Sequence, residues 1–145
     1  MKKLFIALLA FSVMNGAAMA GQDSVNYVFD GDFDDATFSV ESAILDRGLV
    51  VDYVSHVGEM LNRTGQDVGS DIRIFDAADT FLFCSAVLSR KMMEADPLNI
   101  AHCPYGIFVA DMAGEVIVGY RRYPGGSMQE VQALLDKIVR EAVGQ

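Results

Sequence analysis

Basic residues are scarce in this sequence: 11 Lys and Arg stand against 20 Asp and Glu, a formal net charge of −9 over 145 residues. Gripping nucleic-acid phosphates needs a basic face, so nucleic-acid binding is not expected. Cysteines number two, too few for a disulfide scaffold. The glycine-rich strand-to-helix turns of parallel nucleotide-binding sheets are missing. So are Cys-x-x-Cys, Cys-x-x-Cys-His and His-x-x-x-His spacings, and no serine sits in a nucleophile elbow. There is no repeat, long linker or low-complexity block. What is abundant is apolar: 52% of residues are hydrophobic, which argues against a disordered chain. The length suits one domain.

The first twenty residues read as an address. Lys2 and Lys3 open it, an apolar run follows from Leu4 to Val13, and Ala18-Met19-Ala20 ends it with small residues at the cleavage positions. This is the layout of a secretory signal peptide cleaved after Ala20. Its apolar run is about half of what spans a bilayer. No later stretch is long enough to span one, so no membrane span is expected after cleavage. The two lysines leave with the signal, so the −9 of the whole chain becomes −11 for residues 21–145. A bacterial style of signal places that domain in the periplasm.

Along the remaining chain the hydrophobic spacing alternates between periods of two and of 3.6 residues. Val25 to Asp30 reads as a strand. A helix follows Asp34, with Asp32, Asp34 and Asp35 favoured at its positive end and Arg47-Gly48 closing it. Leu49 to Val57 reads as a strand that leads into a polar loop from Asn62 to Ser70. The stretch Ile72 to Ala78 is ambiguous. Thr80 to Cys84 is strongly strand-like, and Ser85 can cap a helix over Ala86 to Ala95 that Asp96-Pro97 stops. Tyr105 to Asp111 and Glu115 to Arg121 form a hairpin around Met112-Ala113-Gly114. Ser127-Met128-Gln129-Glu130 reads as a capping box opening a last helix. The order β-α-β-β-α-β-β-α predicts a two-layer α+β fold, a mostly antiparallel sheet with helices packed on one face.

Phe81-Leu82-Phe83-Cys84-Ser85, the helix to Ala95-Asp96-Pro97, Cys103-Pro104 and the strand ending Val118-Gly119-Tyr120 together resemble the domain-of-unknown-function 302 family. The helix running into Arg47-Gly48-Leu49-Val50-Val51, with His56 after it, fits the same pattern. The resemblance covers about residues 25–124. It implies a compact α+β domain able to form homodimers, and no established reaction. The sequence departs from the common pattern at Ser85, where a pair with Asn-Pro is usual, and at Cys103, where an aliphatic residue is common.

Chemistry concentrates around the two cysteines. Cys84 closes a strand and Cys103 precedes one; if the strands are neighbours, both thiols meet at one sheet edge. In an exported protein an even cysteine count favours a bridge. A loop of this size would contribute about 3 kcal/mol by restricting the unfolded chain. Cys84 just before a helix could instead be a reactive thiol, giving a thiol-disulfide redox protein. A third reading is a metal or haem site drawn from His56, His102, Cys84 and Cys103, with Met60, Met92 and Met93 as soft ligands suited to copper. No cofactor is the primary expectation, and methionines at helical spacing are more often core filler. Tyr120, Arg121 and Arg122 are further candidates, with an arginine holding a small anion in fork geometry. The expected role is a binding or accessory module, with a homodimer, a small anionic ligand or a periplasmic protein as partner.

Overall fold

The computed structural model describes residues 23–145; the expected signal peptide and cleavage after Ala20 lie outside the described residues. The elements are β1 (Ser24–Val28), α1 (Phe33–Leu45), β2 (Val50–Ser55), α2 (Val57–Thr64), β3 (Ala77–Cys84), α3 (Ala86–Ala95), β4 (Tyr105–Met112), β5 (Glu115–Arg121) and α4 (Gln129–Ala142). Short 3-10 turns at Gln66–Val68 and Pro97–His102 link α2 to β3 and α3 to β4. The strands form one antiparallel sheet in the order β1-β5-β4-β3-β2. The expected two-layer α+β architecture is therefore what the chain adopts.

Strand alternation divides the sheet into two faces. Phe81, Phe83, Tyr105, Ile107, Val109, Val116, Val118 and Tyr120 point to one side and are buried. Ala36, Val40 and Ile44 of α1 meet them there, with Val131, Leu135, Ile138 and Val139 of α4. Their spacing of three and four residues is what gives each helix a single apolar stripe. The opposite face carries Val28, Tyr53, Leu82, Phe108 and Ile117, half-buried or exposed, and Tyr53 keeps 63% of its surface open.

Local chemistry accounts for most element ends. Asp32 caps α1 by accepting from the Asp35 N–H at 2.9 Å, so the acidic cluster there is a helix start. Gly48, with φ at 70°, takes the left-handed turn after α1. Ser85 caps α3 through the Leu88 N–H. Between β4 and β5, Ala113 and Gly114 both have positive φ, and Asp111 Oδ1 accepts from the Gly114 N–H at 2.8 Å. The Cys103-Pro104 peptide is cis.

Two sequence expectations are corrected and one open stretch is resolved. The polar stretch expected as a loop from Asn62 begins inside a helix, α2, and its next residues form a 3-10 turn. Ile72 to Ala78 turns out to be irregular chain that enters β3 only at Ala77. The box at Ser127–Glu130 does not form: Met128 stands at the start of α4 with no side-chain cap. The Glu130 carboxylate instead takes a 2.7 Å hydrogen bond from Lys91 of α3, which draws it away from the helix start.

Candidate functional site at the thiol pair

Adjacent antiparallel strands fix where the cysteines lie. Phe83 pairs with Tyr105 across β3 and β4, so Cys84, one residue beyond, faces the chain just ahead of β4. The Sγ atoms of Cys84 and Cys103, 19 positions apart in sequence, approach to 2.9 Å. That places them one small side-chain adjustment from a bonded separation of about 2.05 Å. Both thiols are half-buried.

Hydroxyls and rings surround the pair. Ser89 Oγ of α3 lies 3.8 Å from Cys103 Sγ and donates a 2.9 Å hydrogen bond to Tyr105 Oη. Phe83, Tyr105 and Tyr123 stack edge-on in series, each step 6.3 Å between centroids. His102 joins the end of the row at 5.7 Å from the Tyr123 ring. Edge-to-face contacts of this kind add to simple burial.

This environment keeps the site neutral. Burial, then the hydrogen bond and charge of Cys103, push the Cys84 thiol up to about 11. Burial raises Tyr105, against the opposing hydrogen bond from Ser89. Burial likewise pushes Tyr123 up to about 12, although the Arg121 charge works against it. A low-dielectric neighbourhood disfavours each charged form. At neutral pH Cys84 is therefore a thiol and a poor nucleophile; its nearest reaction partner is Cys103.

The remaining sequence candidates scatter. His102 adjoins the pair through its backbone and its Tyr123 contact. Arg121 is exposed, near enough to Tyr123 for its charge to be felt. Tyr120 points into the core, and its hydroxyl donates to Asp136 Oδ1 at 2.7 Å. Arg122 sits on the same side, lining a hollow of about 330 Å³ with Gln129, Gln132 and Asp136. His56 lies at the other end of β3: its Nδ1 is 2.8 Å from Asp79 Oδ1. Asp79 and Cys84 are five strand residues apart, about 17 Å, so the four proposed metal ligands do not converge. Among the described residues, no three His, Cys, Asp or Glu side chains are grouped to hold a metal ion. Met92 is buried in the core, whereas Met60 is exposed.

A polar knot that the sequence left unmarked joins β1, β5 and α4. Asp136 accepts from Tyr27 Oη at 2.6 Å, from Tyr120 Oη and from Arg140 Nε at 2.8 Å. Burial opposes ionisation of Asp136, but the hydrogen bonds from Tyr27, Arg140 and Tyr120 outweigh it and hold its carboxyl below the usual range. Arg140 also stacks over the Tyr27 ring at 4.9 Å. Ser89, Tyr105 and Tyr123 were likewise unmarked as neighbours of the thiols. The position of Tyr105, two residues after Cys103, was the one available signal.

Residues 25–142 match the family model described as domain of unknown function DUF302. No curated protein sequence gives a match. The chain is similar in structure to an uncharacterized conserved DUF302 protein from Bacillus stearothermophilus, with a TM-score of 0.61 and 14% identity. That alignment covers 84% of this chain and 94% of the other, and at such identity it speaks for the fold alone. The match over most of its length places this chain in the DUF302 family.

Proposed function

We propose that this member of the DUF302 family is an exported, periplasmic binding or accessory module braced by a disulfide between Cys84 and Cys103. The observation that carries the reading is the 2.9 Å approach of the two sulfurs at the junction of β3, α3 and β4. Forming the bridge removes one hydrogen from each thiol. The two protons and two electrons go to a disulfide-bearing oxidant of the exporting compartment. The product ties the end of β3 to the lead-in of β4, across the Pro97–His102 turn.

Two competing roles for the same cysteines fit less well. A thiol-disulfide enzyme needs a thiolate at neutral pH, and burial moves Cys84 the other way. The set named for copper or haem does not converge, since His56 is held by Asp79 far from the thiols. The accessory role rests on the open sheet face, where Val28, Tyr53 and Phe108 leave apolar surface uncovered. A second copy docking there accounts for it. Arg121, exposed and near enough to Tyr123 for its charge to act there, is the residue we assign to a small anionic ligand.

Expression with the native leader in a bacterial host tests the proposal. The expected product is periplasmic, begins at Gly21, and has an intact mass two hydrogens below the dithiol form. Retention of residues 1–20 in a cytoplasmic product contradicts export. Sedimentation tests the second copy: Tyr53→Glu should convert a dimer to a monomer, and an unaltered protein that is already monomeric contradicts that part.

A further inference from the structure

The end of β3 away from the cysteines holds a cleft of about 500 Å³ between α2 and the strand. Its size falls in the range of small-molecule sites. α2 is pressed against the strand there because Gly58 has no side chain. A Cβ at that position would stand 2.4 Å from the Ala78 backbone nitrogen. His56, Glu59, Arg63, Asp76 and Asp79 supply the charged lining.

Two of those carboxylates already have partners. Asp76 pairs with Arg73 at 3.1 Å and Asp79 with His56 at 2.8 Å. Glu59 and Arg63 are left over, opposite in sign and four residues apart on α2. This is the spacing and order at which a helical ion pair forms, yet among the described residues neither makes an ion pair or side-chain hydrogen bond. The histidine adds a directional group. A carboxylate can only accept, so His56 turns its Nδ1–H toward Asp79. With that carboxylate and imidazole engaged, the cleft offers one carboxylate, Glu59, and one guanidinium, Arg63.

From this we infer a second site, independent of the cysteine bridge, for a small zwitterion of the free amino-acid class. The ligand's ammonium group donates to Glu59, and its carboxylate takes the two-pronged donors of Arg63. A plain anion would meet Glu59 in a strongly acidic protein, and a plain cation would meet Arg63. Only a molecule carrying both charges satisfies both side chains.

The test is an NMR titration of the ¹⁵N-labelled full domain, residues 21–145, with glycine, L-alanine and L-leucine. Acetate and methylammonium serve as half-ligands. The expected result is saturable shifts at residues 56–63 and 77–79 with at least one amino acid, at least about tenfold tighter than either half-ligand. Glu59→Gln and Arg63→Gln, both at exposed positions, should each weaken that binding by about tenfold or more while leaving the amide dispersion of the fold intact. No saturable shift with any of the three amino acids overturns the inference. So does acetate binding as tightly as the amino acids, or either variant binding like the unaltered protein.

Discussion

Strand β3 carries chemistry at both of its ends, and the two ends are built in opposite ways. At the Cys84 end, α3, the following turn and a row of aromatic rings close over two thiols, and every ionisable group resolved as shifted is pushed toward its neutral form. At the Asp79 end, α2 leaves an open cleft in which carboxylate, imidazole and guanidinium all face solvent. The difference follows from what each helix brings. α3 supplies Met92 and Leu88 to the core, whereas α2 buries only Gly58. A dry end suits covalent bracing, because a neutral thiol pair costs little to bury once bonded. A wet, charged end suits reversible binding, since its groups are already hydrated and exchange water for ligand.

Breaking the dry end should have the larger effect. Cys84→Ser with Cys103→Ser should cost about 3 kcal/mol relative to the bridged protein, or roughly 10 °C in Tm, measured by calorimetry without reductant. Next comes the joint that holds the wet end. Gly58→Ala forces α2 away from the Ala78 backbone and should cost about 1–3 kcal/mol. Hydrogen exchange should become faster in residues 57–64 while α1 and α4 keep their protection.

A pH comparison separates the bridged from the reduced form. The folded Cys84 thiol ionises near 11, above its ordinary 9.0. A raised value means that the folded state holds its proton more tightly than the unfolded chain. Stability from this source is whole below pH 9 and is lost as pH rises toward 11. The bridged protein has no thiol to titrate, and it also lacks the thiolate charges that help raise Tyr105 and Tyr123. The gap in Tm between bridged and reduced protein should therefore widen from pH 8 to pH 10. Smallest of all is the effect of the cleft charges on folding. Glu59→Gln with Arg63→Gln should change stability by less than about 0.5 kcal/mol, by denaturant titration.

The dry end was the more legible of the two in the sequence, and for a physical reason. Phe81-Leu82-Phe83 demands a buried strand, Ser85 can only be useful as a cap, and Cys103 stands immediately before the next strand-forming run. Neighbouring strands then leave the cysteines little choice of position. The α1, α3 and hairpin assignments succeeded on the same kind of local signal. α2 was missed because its stripe is short: Gly58 alone is fully buried, and Val57 and Leu61, the two apolar side chains beside it, are only half-buried. The failed cap at Ser127 has a tertiary cause: Glu130 is taken by Lys91, 39 positions away. Asp136 was invisible too, since Tyr27 and Tyr120 reach it from strands that become neighbours only when β1 adds beside β5.

The bridge is the central claim, and a peptide map reads it directly. The protein, expressed with its own leader in a bacterial host, is alkylated without reductant, digested, and searched for one peptide pair joined through residues 84 and 103. The expected result is that this cross-linked pair accounts for nearly all of both cysteines and separates on reduction. Recovery of Cys84 and Cys103 as two alkylated thiols from freshly exported protein would contradict the account.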